Sequence, residues 1–289
     1  MCLSDLFQWG TKTYVMGIIN ATPDSFSGDG LNSEDDPVQA AILLAQRLVA
    51  DGAHLLDVGG ESTRPGATPV SAETELNRVT PIIKALAATV EVPISIDTSK
   101  ATVARSALDA GASIVNDVSG LMFDNKLGEV VASRGAALIL MHNRSRKEDA
   151  SSDERLGGRY VGSTYDKLIE DISRDLEESI TIAFSAGIDK NQIILDPGIG
   201  FGKTVEQNLR LLNELGKLEN LGYPLLIGPS RKSFIGYTLD LQMEDRLEGT
   251  AAAVAVGITR GADIVRVHDV REMVRVAQMT DALVRPVQD

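Results

Sequence analysis

The sequence predicts a single (β/α)8 barrel, and three observations support that prediction. Short apolar runs recur along the chain, and nearly every one ends in a polar or charged residue. Helical patterns separate these runs, and 289 residues is a typical size for one such barrel. Short buried strands that alternate with helices indicate a parallel sheet. Eight such units favour closure into a TIM barrel, with a doubly wound open sheet as the alternative.

The eight predicted strands share a polar group at or just after the end of an apolar run. In chain order they are Tyr14 to Ile19 (before Asn20), Leu55 to Leu56 (Asp57), Ile94 to Ile96 (Asp97), Ile114 to Val115 (Asn116), Ala137 to Met141 (His142), Ile193 to Leu195 (Asp196), Leu225 to Ile227 (Gly228-Pro229-Ser230) and Ile264 to Val267 (His268). Gly-Ala pairs precede several of them, and a glycine suits the left-handed residue that closes a helix.

Helical patterns fill the intervals. Pro37 to Ala50 carries one apolar face and a proline suited to the first turn of a helix. The same periodicity predicts helices over 71–86, 102–110, 165–184, 205–215, 246–259 and 270–283. The polar stretch from Asn143 to Thr164 is too long for an ordinary connection, so we expect a mobile, solvated loop there. No linker or low-complexity tract interrupts the pattern, which favours one domain over residues 1–289.

Charge and composition narrow the class of function. A net charge of -13 argues against a nucleic-acid surface, and no apolar run approaches the roughly 18–20 residues that cross a bilayer. The segment from Met1 to Gly10 lacks the pattern of a secretory signal, and the single cysteine, Cys2, forms no internal disulfide. We therefore expect a cytoplasmic protein without nucleic-acid or membrane partners. In so acidic a chain, local clusters of basic residues are informative.

Three polar residues end different predicted strands and converge on one mouth. Active sites of such barrels lie at the carboxyl ends of the strands, where Asp97, Asn116 and Asp196 stand. Carboxylates and an amide offer acceptors and donors to a flat heterocycle that bears N–H groups. Metal binding is the alternative for the aspartates, and capping of the following helix is the alternative for Asp97.

A glycine-rich segment follows the sixth predicted strand. Asp196 to Lys203 reads DPGIGFGK, which differs from the dinucleotide-binding fingerprint because its glycines alternate. One interpretation is a phosphate cradle. We favour the other, in which the glycines allow a sharp turn and a close backbone approach.

Basic residues follow the seventh and eighth predicted strands. The segment 228–236 places Arg231 and Lys232 at the mouth, and Arg266 and His268 stand two residues apart, so they share a face. An arginine inside a barrel strand is costly unless an anion or a carboxylate pairs with it. The loops after these strands are the usual phosphate site of such barrels. We therefore expect an anion site, with surface charge as the alternative for Arg231 and Lys232.

Taken together, these segments resemble the dihydropteroate synthase family over nearly the whole chain. The matching stretches, in order, are MGIINATPDSFSGDG, LLDVGGESTRPGA, ISIDTSK, IVNDVSG, LILMH, IILDPGIGFGKT, GPSRKSFIG and VRVHDV. The resemblance implies an enzyme that joins a pterin diphosphate to para-aminobenzoate with loss of pyrophosphate. It also implies a homodimer and a Mg²⁺ ion that accompanies the diphosphate.

The resemblance further implies a role for each residue at the mouth. The implied pterin-binding residues are Asp97, Asn116, Met141, Asp196 and Lys232. The implied diphosphate anchors are Asn20, Thr63, Arg64, Arg266 and His268, with Asn20 also the metal ligand. The implied para-aminobenzoate site consists of Thr63, Arg64, Pro65, Phe201 and Ser233. The implied catalytic set is Asn20, Arg64, Lys232, Arg266 and His268.

Two other functions compete with this one. A pterin-binding methyltransferase barrel shares the Asp–Asn–Asp pocket and acts on methyltetrahydrofolate with a corrinoid partner, but it has no reason to keep Arg64 or the Ser-Arg-Lys-Ser segment. A barrel that binds pterin without catalysis is the other, and turnover by the purified chain separates it from the enzyme. Fold alone does not decide between them.

Overall fold

Eight parallel strands form a closed barrel in the computed structural model, which describes residues 3–22, 36–62, 67–161 and 165–285. In chain order the strands are β1 (Tyr14–Asn20), β2 (Leu55–Gly59), β3 (Ile94–Asp97), β4 (Ile114–Asp117), β5 (Ala137–Met141), β6 (Ala150–Asp153), β7 (Gly157–Tyr160), β8 (Ile193–Asp196), β9 (Leu226–Ile227) and β10 (Ile264–Val267), and all of them except β6 and β7 belong to the barrel. The barrel order is β8-β5-β4-β3-β2-β1-β10-β9, and a parallel bridge between Leu195 and Leu225 closes it. The predicted closed barrel is confirmed.

Apart from the first, short helix, which precedes β1, the helices follow barrel strands and cover the outside. They are α1 (Leu3–Leu6), α2 (Pro37–Ala50), α3 (Ala72–Ala87), α4 (Ala101–Ala110), α5 (Leu127–Arg134), α6 (Leu168–Ser185), α7 (Val205–Asn213), α8 (Ser233–Leu239), α9 (Leu247–Thr259) and α10 (Val270–Val284). The seven predicted helices are confirmed with small shifts at their ends. Local signals fix those ends: the Asp36 carboxylate accepts from two backbone N–H groups at the start of α2. Within the described ranges, no helix is both long and apolar enough to span a membrane.

The stretch from Asn143 to Thr164 departs from the prediction. It contains an antiparallel hairpin of β6 and β7 instead of a loop without regular structure. Two of its arginines also contact other parts of the chain: Arg155 donates to Asp240, and the Arg159 guanidinium lies 4.2 Å from the centre of the Tyr237 ring. These contacts join the hairpin to α8, so the expectation of a merely solvated loop was wrong for this part of the stretch.

The inside of the barrel is apolar at the amino ends of the strands. Alternate residues of each strand face inward. Together with Leu3 and Phe7, which precede β1, they form one buried cluster: Tyr14, Met16, Leu55, Ile114, Ala137, Ile139, Ile194, Leu226 and Ile264. A second, larger apolar cluster packs the outer faces of the strands against the helices. We call the inner cluster the base; it closes one end of the barrel and leaves the other end for polar groups.

Candidate active site

The inward-facing positions become polar within one step of two residues beyond the base. Leu55 is followed on the same face by Asp57, Ile114 by Asn116 and Ile194 by Asp196, while Ile264 is followed by Arg266. We call this polar end the mouth. Strand register aligns its rim, since Asn20 pairs with Gly59, Gly59 with Asp97, and Asp97 with Asn116. The strand-end residues predicted to converge therefore do lie at one end of the barrel.

Arg266 is the centre of a first group of charges at the mouth. Its Nε lies 2.6 Å from Asp57 Oδ2, and its Nη2 lies 3.0 Å from Asp97 Oδ2. The Asn116 amide donates to the same Asp57 oxygen at 3.1 Å. Asp57 was identified from the sequence only as the end of a strand and was not assigned to the site. Its wholly buried carboxylate nevertheless joins Asn116 to Arg266. Its position two residues after the inward-facing Leu55 was the sequence signal that could have placed it in the site.

The protonation of this group depends on burial. Burial raises the pKa of Asp97 to about 7, with the neighbouring Asp57 adding to the rise and Arg266 opposing it. Burial works against the charge of Arg266, but Asp57 and Asp97 raise its pKa above the usual value. Asp97 also does not cap the next helix, because α4 begins after Lys100 without a side-chain cap. The carboxylate serves the mouth of the barrel instead.

Two acceptor atoms in this first group have no partner. Asp57 Oδ1 and Asn116 Oδ1 are buried and receive no hydrogen bond from the residues that the structure describes. An unpaired buried acceptor costs roughly 1–3 kcal/mol. The arrangement therefore favours a ligand that brings N–H donors into the mouth.

A second group of residues surrounds Asp196 on the opposite side of the mouth. Asp196 Oδ1 accepts from the backbone N–H of Gly198 at 2.7 Å, and burial raises the pKa of this carboxyl. Lys232 donates from Nζ to the carbonyl of Ile199, and its Nζ lies 4.4 Å from the centre of the Phe201 ring. Burial lowers the pKa of Lys232 to about 8, while Asp196 opposes the change. A flat ligand here meets an aromatic ring, an ammonium and a carboxylate.

The glycines after Asp196 allow a close backbone approach, as we favoured. Gly198 has φ +71°, and a Cβ there would lie 2.0 Å from the His142 carbonyl oxygen. Gly202 has φ +56°, and a Cβ there would lie 2.5 Å from the Arg144 backbone. Only glycine fits both requirements at these positions. The loop therefore lies directly against the segment that follows β5.

Lys203 ends this loop and was not predicted as a site residue. It is 2% exposed, and its Nζ lies 3.0 Å from His142 Nδ1 and from the carbonyls of Gly198 and Phe201. Burial lowers its pKa to about 7. Lysine is usually a surface residue, so its residue type did not predict this burial. The sequence offered only its position at the end of the DPGIGFGK segment as a signal.

The two histidines at this end have different partners. His268 Nδ1 lies 3.0 Å from Ser230 Oγ, at the rim beside Arg266 in sequence. Burial lowers the pKa of His142 to about 4, and Asp175 opposes the change. Arg231, predicted as either a mouth or a surface residue, instead forms a forked pair with Asp269 at 2.9 and 2.5 Å. Its charge is already matched by protein.

The remaining predicted site residues differ in what the structure says of them. Met141 is buried at the end of β5, opposite Asp196 in register. Asn20 ends β1 half-buried, and Ser233 begins α8 half-buried. Thr63, Arg64 and Pro65 lie outside the described residues.

The donor set at the mouth suits one kind of metal ion. The described part of the chain holds no group of three His, Cys, Asp or Glu side chains placed to cage an ion. Mg²⁺ is usually held by one or two protein oxygens together with substrate phosphates and water. The side-chain oxygen of Asn20, at the rim, fits a Mg²⁺ ion that arrives with a phosphorylated ligand.

Comparison with known proteins locates the chain among its relatives. The family model described as pterin binding enzyme matches residues 16–268. The chain is 48% identical over 272 residues to the dihydropteroate synthase of Bacillus subtilis, covering 94% of this chain and 89% of that protein.

Solved structures show the same similarity in three dimensions. The dihydropteroate synthase of Clostridium difficile, crystallised in the presence of pteroic acid, superposes with a TM-score of 0.87 at 46% identity, covering 96% of this chain and 99% of that one. The dihydropteroate synthase of Xanthomonas albilineans with 4-aminobenzoic acid gives 0.85 at 41% identity, covering 96% and 95%.

Proposed function

Because this chain belongs to the dihydropteroate synthase family of pterin-binding enzymes, we infer that its barrel mouth is where a pterin diphosphate and para-aminobenzoate are joined. The chain is a transferase, and the reaction forms 7,8-dihydropteroate and pyrophosphate from 6-hydroxymethyl-7,8-dihydropterin diphosphate. The observation that carries the assignment of the site is the polar mouth itself. The unpartnered oxygen of Asn116, with the carboxylates of Asp97 and Asp196 at the same mouth, calls for a ligand rich in N–H groups, which a pterin supplies.

In this proposal the pterin lies between the two groups of the mouth. Asp97, Asn116 and Asp196 bind its N–H and carbonyl edge, and Lys232 lies beside the ring with Phe201. Met141 packs against the ring system from β5. Acceptors of the protein face N–H donors of the pterin, and this match fixes the orientation of the ring. In that orientation the exocyclic carbon faces the rim, where the diphosphate and the arylamine meet.

The diphosphate lies at the rim beside β10. Arg266 uses Nε and Nη2 for Asp57 and Asp97, and a guanidinium has five N–H donors, which leaves Nη1 for a phosphate oxygen. His268 is the second anchor in this proposal, with Asn20, Thr63 and Arg64 completing the set. Donors fixed before the reaction stabilise the charge that develops as the C–O bond breaks.

Mg²⁺ is the proposed cofactor, with Asn20 as its protein ligand. When bound with the diphosphate, it supplies positive charge at the leaving group. The chain's own contribution is to hold the pterin so that the amine of para-aminobenzoate attacks the exocyclic carbon. Thr63, Arg64, Pro65, Phe201 and Ser233 form the proposed site for that second substrate. No protein nucleophile takes part.

Release of pyrophosphate tests the proposed function. The purified chain, mixed with pterin diphosphate, para-aminobenzoate and Mg²⁺, should release one pyrophosphate for each dihydropteroate formed. Omitting para-aminobenzoate is the control and should abolish the release. Absence of release with both substrates, or equal release without the arylamine, would contradict the assignment.

We also propose that the chain works as a homodimer in the cytoplasm. Family membership supports the dimer. The single cysteine fits a reducing compartment, and the net charge of -13 fits an aqueous one. Light scattering during gel filtration tests the dimer, because a monomeric mass at micromolar concentration would contradict it.

A further inference from the structure

The ammonium of Lys203 is completely engaged by protein acceptors. His142 Nδ1 and the carbonyl oxygens of Gly198 and Phe201 each lie 3.0 Å from its Nζ. An ammonium has three N–H donors and no acceptor. Three acceptors therefore match three donors, and the side chain has no hydrogen to offer a substrate.

The tautomer of His142 makes this arrangement depend on a residue outside the mouth. His142 Nε2 lies 3.1 Å from Asp175 Oδ2. A carboxylate only accepts, so Nε2 carries the hydrogen and Nδ1 is left to accept from Lys203. Arg144 holds the carboxylate with a forked contact, with Nε 2.6 Å from Oδ2 and Nη2 2.9 Å from Oδ1. The chain of contacts runs Arg144, Asp175, His142, Lys203.

Lys203 holds the loop that carries the second group of the mouth. The two carbonyls that it binds stand on either side of Ile199, whose own carbonyl accepts from Lys232. Phe201 provides the ring beside the Lys232 ammonium. Without Lys203, the buried carbonyl of Gly198 and the part-buried carbonyl of Phe201, in a loop with three left-handed glycines, would lose their common donor.

We propose that Lys203 is a positioning residue for the pterin, and that Asp175 sets the geometry of Lys203 through His142. This inference rests on the proposed function. Neither side chain touches the ligand in this proposal. Their effect reaches the pterin through the position of Ile199, Phe201 and hence Lys232. The proposal gives the lysine at the end of the DPGIGFGK segment a task that is separate from binding phosphate.

Two variants and two matched controls test this inference with pteroic acid as the probe. Lys203→Met keeps the length of the side chain and removes all three donors, and Asp175→Asn removes the carboxylate that fixes the His142 tautomer. Lys217→Met removes an exposed lysine paired with Glu214, and Asp109→Asn removes a surface carboxylate paired with Arg134. Affinities are measured by calorimetry at pH 6.5, at a temperature where circular dichroism shows every variant folded.

The expected losses follow from the unpaired groups. Lys203→Met should weaken pteroic acid binding about 10- to 100-fold, and Asp175→Asn about 3- to 10-fold, while the controls should stay within about twofold. The double variant should bind no more than about threefold weaker than Lys203→Met alone, because both changes break one chain of contacts. A merely structural lysine would lower the melting temperature and leave the affinity of the folded protein unchanged.

Several outcomes would overturn the inference. Unchanged affinity in folded Lys203→Met does so, and so do fully additive losses in the double variant. If Lys203→Met does not fold, Asp175→Asn decides alone, and unchanged affinity there is fatal. Binding of pteroic acid requires no turnover, so a wild type that binds the probe without releasing pyrophosphate would refute the proposed function and leave this test intact.

Discussion

The two ends of the barrel interior differ in what they bury. At the base, nine strand residues join Leu3 and Phe7 in one apolar cluster, and the Tyr14 ring packs edge-on at 4.8 Å from Phe7. At the mouth, the strands bury three carboxylates and an amide around the partly exposed guanidinium of Arg266. A step of two residues along one strand separates the two environments, as Ile194 and Asp196 of β8 show. The base stabilises the fold, and the mouth is where we propose that the reaction takes place.

Burial also acts differently on the titratable groups of the two ends. Beside the base, where the half-buried His54 packs 5.4 Å from the Tyr14 ring, burial lowers the pKa of this histidine to about 4, and its neutral ring accepts from the Val15 N–H at 3.0 Å. At the mouth, burial shifts groups in opposite directions, raising the pKa of Asp97 to about 7 and lowering that of Lys232 to about 8. His54 is therefore neutral near pH 7, whereas Asp97 and Lys232 at the mouth both titrate near neutral pH. Such shifted groups are typical of functional sites.

The largest expected effect at the mouth comes from Arg266→Lys. A lysine ammonium does not reproduce the fork that reaches Asp57 and Asp97 and still leaves a donor for phosphate. We expect turnover to fall about 10²- to 10³-fold. Steady-state pyrophosphate release measures it, with Arg134→Lys, a surface pair of Asp109, as the control. Near-normal turnover would show that the forked contact does not serve catalysis.

At the base, Ile194→Ala should lower stability and spare function. The side chain is completely buried inside the barrel, so its loss should cost about 2–5 kcal/mol of unfolding free energy. Urea denaturation measures this, and turnover below the transition should match the wild type. Ile182→Ala, at a partly exposed position of α6, is the control with a much smaller loss. A large fall in turnover of folded Ile194→Ala would show that the two ends are not separable.

On the same strand, Asp196→Asn should have the opposite profile. The amide keeps the shape but replaces an acceptor with a donor, so a ligand N–H loses its partner. We expect pteroic acid binding to weaken by about 1–3 kcal/mol, with unfolding free energy unchanged or higher because a buried charge is removed. Calorimetry and denaturation together provide the check. Unchanged affinity would remove Asp196 from the pterin pocket.

A comparable effect on stability should come from the titration of Asp97. An ordinary aspartate has a pKa of 3.8, whereas burial raises the pKa of Asp97 in the folded chain to about 7. The folded state therefore binds an extra proton between these values, and stability falls as pH rises through that window. Asp97→Asn has no such proton, so wild type should lose about 1 kcal/mol or more relative to the variant from pH 4 to pH 7. Subtracting the unfolding free energy of the variant from that of the wild type removes the contribution of the histidines, which both proteins share. A difference that does not change with pH would contradict the raised pKa of Asp97.

Much of the fold was predictable from the sequence because strand and helix periodicity is local. The eight apolar runs, their polar ends and seven helices are each visible in a short window. Helix α5 was missed because it has eight residues and no side-chain cap at its start. The hairpin of β6 and β7 was missed because its strands are short and polar, and its support comes from Tyr237 and Asp240 far along the chain.

The site was predictable where strand parity decides and unpredictable where distant contacts decide. Asp97, Asn116 and Asp196 follow from their positions at strand ends. By contrast, the sequence left open whether an anion or a carboxylate pairs with Arg266, and only the closed barrel reveals that Asp57, 209 residues away, is a partner. The burial of Lys203 likewise depends on His142, 61 residues earlier in the chain. No local pattern carries that information.

The three histidines allow both ends to be observed in one titration. His54 lies against Tyr14 of the base, His268 at the mouth and His142 behind the glycine-rich loop. The most direct test follows their ring ¹⁵N resonances while pteroic acid, and then Mg²⁺ with pyrophosphate, is added. We predict a large shift of His268, a smaller one of His142 and none of His54. If the His54 resonances shift as much as those of His268, or if the His268 resonances do not shift, the assignment of function to the mouth is contradicted.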